Sequence, residues 1–197
     1  MPERDKGDCI MRKSRLWKRF CIIAFALLIL ILFFFGYDRI NQKYPQAAVE
    51  IVGMEEPIET DGVEMLVKNA HFYTTEELER LQVPEEIIYS DGLCMITFEV
   101  QIKNVSGESK KVEAAYRRIE TLGWSGGVGI NALAYFNQNH MQSIFELADQ
   151  ETRSITLTFP IIPRSFTKKD WEHIQEKQYY YVLSFYPTKK MIRLQFT

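Results

Sequence analysis

Cysteine and histidine are both scarce in this 197-residue sequence, at three each, and the scarcity removes whole classes of chemistry. Cys9 and Cys21 lie before or inside a long apolar run, which leaves Cys94 alone in the rest of the chain, so no disulfide can staple that part. His71, His140 and His173 are scattered without H-x3-H, HExxH or cysteine-pair spacing, so no metal site is expected and no cofactor is called for. Basic charge is missing where a nucleic-acid surface would need it. Residues 1–19 hold seven Lys/Arg against three Asp/Glu, a surplus of four, and because the chain totals −2 the remainder carries −6. Such a remainder does not neutralise phosphate, and nucleic acid is discounted as a partner. Internal repeats and low-complexity tracts are also missing.

What the chain does have is one long uncharged run, FCIIAFALLILILFFFGY at residues 20–37, which has the length needed to cross a bilayer as a helix. Arg12, Lys13, Arg15, Lys18 and Arg19 precede it, while Asp38, Arg39 and Lys43 follow, so the positive-inside bias puts the N-terminus in the cytoplasm. A cleaved signal peptide would want a shorter apolar region and a small-residue cleavage site, which Phe33-Phe34-Phe35-Gly36-Tyr37 does not offer. Trp17 and Tyr37 suit the two membrane interfaces. The expected organisation is a basic cytoplasmic tail (1–19), a transmembrane signal anchor in contact with membrane lipid (20–37), a stalk (38–46) and an extracytoplasmic domain (47–197). That is a single-pass protein of the cell membrane. At 46% hydrophobic and 13% aromatic residues, the roughly 150 residues beyond the anchor suffice for one domain with its own core.

Period-two alternation dominates that domain. Residues 94–103 bury Cys94, Ile96, Phe98, Val100 and Ile102 and expose Thr97, Glu99, Gln101 and Lys103, the pattern of an antiparallel strand with one wet face. Val63, Met65 and Val67 alternate, as do Ile155, Leu157, Phe159 and Ile161 over Thr156 and Thr158, with Pro160 and Pro163 pointing to an edge position or the strand's end. Residues 112–122 read as a less regular strand, and 132–147 fit either a helix or two short strands. Thr74 with Glu77 and Thr167 with Asp170 open two short helices. Residues 179–186 and 192–196 form a closing hairpin around a turn at 187–190. The fold class is therefore mainly β: an immunoglobulin-like antiparallel β-sandwich with two short helices, preceded by one N-terminal transmembrane helix.

The strand ITFEVQIKNVSGESKKV, the central GWSGGVGIN and the terminal YVLSFYPTKKMIRLQF, placed behind such an anchor, resemble the DUF5028 group and more loosely the DUF4352-type domains. These are membrane-anchored immunoglobulin-like proteins of Gram-positive bacteria. The resemblance spans roughly residues 15–197 and implies a fold and a cell-surface setting, with no catalytic residues to carry over.

Two glycine patterns touch on chemistry. Gly123-Trp124-Ser125-Gly126-Gly127 matches G-x-S-x-G, followed in hydrolase order by Asp149 or Asp170 and then His173, but that motif needs a helix directly after the serine. Gly127-Val128-Gly129-Ile130-Asn131-Ala132 fits a loose dinucleotide fingerprint without a surrounding βαβ unit. The simpler reading of residues 124–131 is a turned loop at one end of the sandwich, where loops carry recognition. Asn104-Val105-Ser106 is formally a glycosylation sequon, with a polar turn as the plainer account. Tyr179, Tyr180, Tyr181, Phe185 and Tyr186 alternate across a strand, so some face outward unless the helix at 167–177 covers them. The expected function is a non-enzymatic interaction module, an accessory or sensor subunit for an unidentified envelope protein, binding through Trp124, Ser125, Asn131, Tyr180 and Tyr186. The alternatives are an envelope serine hydrolase using Ser125 and a structural membrane protein without a ligand.

Overall fold

The computed structural model describes residues 5–138 and 143–196; His140, and the side chains of the basic tail other than Trp17, lie outside the described residues. The chain divides after Gln46 into two compact units. The first holds one helix, α1 (Asp5–Lys43), whose segment Phe20–Lys43 is long and apolar enough to cross a membrane. Its apolar side chains are exposed around the whole circumference, from Leu27 (54%) to Phe35 (75%), which suits a lipid-facing or signal-sequence helix rather than a core helix. The helix runs on past Tyr37, so the expected stalk is helical as far as Lys43, and Gln42 donates to Asp38 one turn back at 2.7 Å.

The second unit is built of β1 (Ala48–Val52), β2 (Ile58–Thr60), β3 (Val63–Tyr73), α2 (Thr75–Arg80), β4 (Cys94–Asn104), β5 (Lys110–Glu113), β6 (Arg118–Thr121), β7 (Trp124–Gly127), α3 (Ile130–Phe136), β8 (Ile144–Leu147), β9 (Thr152–Ile161), α4 (Lys168–Glu172), β10 (Tyr180–Ser184) and β11 (Thr188–Arg193). A five-stranded sheet has the order β1-β11-β10-β6-β7, a four-stranded sheet the order β2-β3-β4-β9, and β5 pairs with β8 in a small third sheet. The two larger sheets pack face to face: Phe98 of β4 meets Tyr181 of β10 with ring centroids 4.9 Å apart, and Phe159 of β9 lies 6.3 Å from Tyr181. With β3-β4-β9 opposite β6-β10-β11, the strands follow the A-B-E and C-F-G arrangement of the immunoglobulin fold. Tyr179, fully buried just before β10, donates its hydroxyl to Ile174 O at 2.8 Å. This is the tyrosine corner expected at the start of strand F in that fold.

The alternation that marks β4 as a strand holds over its second half and fails over its first. Thr97 is only 3% exposed, contrary to the expectation of a polar face. The cause is a second cluster on the outer side of the four-stranded sheet, where Leu78 of α2, Val83, Ile87, Leu93 and Ala132 of α3 pack on Met95. Thr158, paired with Thr97, is buried with it. Both helix-opening signals are present in space: Thr74 and Glu77 form a full capping box, and Thr167 caps α4 by accepting from Asp170 N. The expected pair of short helices is one too few, because α3 occupies the start of the segment that fitted either a helix or two strands; residues 139–142 of that segment are outside the described residues. The irregular strand expected at 112–122 is two strands separated by a single turn of 3-10 helix, since β5 pairs with β8 while β6 pairs with β10 and β7. Pro160 sits as anticipated on an edge strand, β9. The last turn lies at 185–187, and residues 188–190, expected in it, already belong to β11.

The 104–109 turn closes on Asn104, which is fully buried. Its Nδ2 donates to the carbonyls of Glu108, Leu147 and Ala148, and its Oδ1 accepts from Ser106. The atom a glycan would occupy is thus committed to the fold, which supports the turn reading over the sequon.

Candidate functional site

The glycine-rich stretch after residue 123 is not the loop expected from composition. Leu122 (φ 47°) and Gly123 (φ 78°) form a two-residue turn between β6 and β7, the left-handed conformation that matches the twist of a hairpin. Pairing of Ile119 with Gly126 and of Thr121 with Trp124 then fixes which way β7 faces. Ile119 is fully buried, so Trp124 and Gly126 turn toward the core while Ser125 turns out. The Trp124 ring folds over Gly126, where a Cβ would clash with it, and lies tilted against Phe166 with ring centroids 5.3 Å apart, and Phe166 in turn meets Trp171. Trp124 closes the side of the sandwich, and only Val128 to Asn131 lead on as turn and helix start.

Ser125 shares a row with Tyr180. Across the outer face of the five-stranded sheet, Arg193, Tyr180, Glu120 and Ser125 stand side by side on β11, β10, β6 and β7. The next row runs Ile51, Met191, Val182, Arg118 and Gly127. Val49 and Lys189 begin a third. Lys189 Nζ forms an ion pair with Glu120 Oε2, both partly shielded, and Val182 and Met191 are 2% and 7% exposed although they face outward. By contrast Val49 (60%), Ile51 (41%), Phe185 (54%) and Tyr186 (64%) are open to solvent. This face has an apolar strip on β1, a half-exposed tyrosine in the middle and polar groups toward β7. Two of the five residues singled out from sequence lie on it together. Tyr186 sits beyond the end of β10, Trp124 is turned away, and Asn131 is elsewhere, on the first turn of α3. There it lines a cleft of about 310 Å³ with Ile87, Tyr89, Met95 and Pro160. The exposed strip on β1 carries no signal in the sequence beyond two aliphatic residues two apart.

The tyrosine row is divided between core and surface. Tyr179 and Tyr181 are fully buried, and burial drives both phenol pKa values far above their usual range. The 167–177 segment meets Tyr179 through the Ile174 carbonyl, while Tyr180 is half-buried and Tyr186 is exposed.

Neither glycine motif assembles its chemistry. Ser125 is the second residue of an antiparallel edge strand, not the apex of a strand-to-helix turn. Asp149 Oδ1 accepts from Gly107 N, Asp170 accepts from Thr167 Oγ1 and Lys177 Nζ, and His173 Nδ1 lies 3.1 Å from Glu176, so each acid and base has other work. Gly129 does precede α3, but its N–H goes to Thr158 O at 2.8 Å, and a Cβ there would lie 3.0 Å from Pro160 Cδ. That glycine serves close packing on β9. Burial, with help from Glu77 and Glu76, raises the Cys94 thiol to about 11, which keeps it protonated and inert. Among the described residues no group of three or more His, Cys, Asp and Glu is placed to hold a metal.

Residues 50–190 match the model of a domain of unknown function, DUF5028. No curated protein matches the chain. Among solved structures, an uncharacterized β-sandwich protein from Clostridium difficile 630 aligns over 76% of this chain and 97% of its own, at 13% identity and a TM-score of 0.45. A candidate lipoprotein from Bacillus subtilis subsp. subtilis str. 168 aligns over 72% of this chain and 38% of its own, at 10% identity and a TM-score of 0.46. A conserved hypothetical protein from Bacillus anthracis aligns over 71% and 93%, at 15% identity and a TM-score of 0.45.

Proposed function

The chain belongs to the DUF5028 family, and we propose that it is a membrane-tethered interaction module without catalytic activity, an accessory or sensor subunit of an envelope component. In this reading the 20–37 stretch of α1 anchors the chain in lipid, the basic tail stays in the cytoplasm, and the sandwich works outside the cell. The observation that carries the proposal is the outer face of the five-stranded sheet, where exposed Val49 and Ile51 accompany half-buried Tyr180, with exposed Tyr186 in the turn that follows β10. Aromatic and aliphatic anchors ringed by polar groups favour protein recognition. The glycine motifs, by contrast, are accounted for by a hairpin and by packing.

The test is photo-crosslinking in living cells from a benzophenone amino acid placed at Tyr180 and, separately, at Tyr186 of the full-length protein. Capture of the same envelope protein from both positions, absent from a control at exposed Glu108, is the expected outcome. Recovery of nothing, or of the same background from all three positions, would remove the module reading.

A further inference from the structure

We infer that β1 is a strand-acceptor edge, taking an extended segment of the partner as an added strand of the five-stranded sheet; this rests on the interaction-module reading and deepens it. The two large sheets end in four edge strands, and three are blunted. On β9, Asn137 brackets Thr156, donating to its carbonyl at 2.8 Å and accepting from its N–H at 3.0 Å, and Gly129 N takes the Thr158 carbonyl. β2 has only three residues, and the carbonyl of its Glu59 is held by Lys190 Nζ. β7 has four residues, two of them glycine, a poor template for pairing.

β1 has none of these devices. Its five residues, AVEIV, contain no lysine, proline or glycine, and among the described residues their backbone groups bond only to β11. Edge strands are normally protected by charge, brevity, a bulge or a cover, because a free row of N–H and C=O groups attracts another strand. Here the edge, whose one charge is Glu50, also carries Val49 and Ile51, 60% and 41% exposed, on the same face as Met191 and Val182. A strand laid beside β1 would satisfy the backbone and cover both side chains at once, the mode by which main-chain bonds give affinity and alternate side chains give specificity.

A second copy of the chain fits this edge less well. Antiparallel self-pairing over the whole strand sets Val49 opposite Ile51 and therefore Glu50 opposite Glu50, like charges in direct cross-strand contact. Glu50 already has a cation on its own side, Lys190 at 3.7 Å. The incoming segment has apolar residues opposite Val49 and Ile51 and a neutral or basic one opposite Glu50.

The experiment uses full-length protein in lipid nanodiscs and the peptide Thr-Thr-Val-Lys-Val-Thr-Thr, with versions N-methylated at alternate amides in either phase. Amide hydrogen exchange is read at residues 48–52. Saturating peptide is expected to slow exchange there about tenfold or more, with no effect from at least one N-methylated phase, and Val49→Lys with Ile51→Lys should weaken binding by about tenfold or more. No slowing at 48–52 overturns the inference, as does equal slowing by every N-methylated version, which would mean side-chain contact alone. Slowing without peptide that grows with protein concentration also overturns it, in favour of a second copy. In cells, a benzophenone at Val49 separates the acceptor edge from the interaction module. A partner captured from Tyr186 and not from Val49 keeps the module and removes the acceptor edge, and capture from neither removes both.

Discussion

Replacing Asn104 with alanine takes away the amide from which both the 104–109 turn and the end of β8 hang. Its Nδ2 donates to Glu108 O at 2.6 Å and to Leu147 O and Ala148 O at 3.0 Å, while Oδ1 accepts from Ser106 N at 3.0 Å and Ser106 Oγ at 2.8 Å. Glu108 and Ser106 belong to an exposed turn and can bond water after the change, so each of their bonds contributes about 0.5–1.5 kcal/mol at most. Leu147 is fully buried, and its carbonyl, left with only the long 3.5 Å bond from Ser109 Oγ, costs about 1–3 kcal/mol. The expected loss for Asn104→Ala is about 3 kcal/mol, which for a domain of this size lowers Tm by about 6–12 °C. Asn104→Asp is the sharper probe. It keeps the shape and the acceptor for Ser106, but it aims carboxylate lone pairs at three carbonyls in a buried site, so it should fall below the alanine variant. Thermal unfolding of the full-length protein in detergent, followed by near-ultraviolet circular dichroism, isolates the sandwich from the signal of α1. A loss under about 1 kcal/mol for alanine, or an aspartate variant as stable as alanine, would refute this account of the turn.

Cys94, with its thiol pKa near 11, should resist iodoacetamide at pH 8 in the folded protein and react once denaturant is added; mass spectrometry of labelled peptides decides it, and native labelling at a free-thiol rate counts against a sealed core. Tyr179→Phe removes only the hydroxyl bond to Ile174 O, so denaturant unfolding should show a loss of about 1 kcal/mol with an unchanged m-value. Gly126→Ala pushes a methyl group into the Trp124 ring and should cost about 1–3 kcal/mol. The displaced indole should also show as a red shift in emission against a background from Trp17 and Trp171. Ser125, on an edge strand with its expected acid and base engaged elsewhere, should stay unlabelled by a fluorophosphonate probe, and stoichiometric labelling would return the hydrolase reading.

How much of the fold was legible depends on how each strand is covered. The first half of β9 and the second half of β4 bury one face, and their alternation reads directly as a strand. The first half of β4 is covered on both sides, by the inter-sheet core and by the cluster around Leu78 and Ala132, so Thr97 follows neither rule. Caps were legible because they are local: Thr74 and Glu77, three apart, need nothing from the rest of the chain. The break at Ala114–Tyr116 was not, because it exists only to hand the chain from the β8 pairing to the β10 pairing. Nor was β7, where glycine suggested a loop and the hidden reason for Gly126 is the indole lying over it.

The candidate face divides along the same line. Tyr180 and Ser125 could be nominated from residue type, yet only the register of β10, β6 and β7 sets them in one row. Trp124 could be nominated for the same reason and faces the other way, since a shift of one residue along a strand changes which side of the sheet a side chain serves. An acceptor edge leaves still less trace. What would bind is the row of N–H and C=O groups on β1, which every non-proline residue carries alike, and AVEIV is set apart by having a neighbour, β11, on one side alone. Such a site is written in sheet order and in the devices the other edges carry and this one lacks.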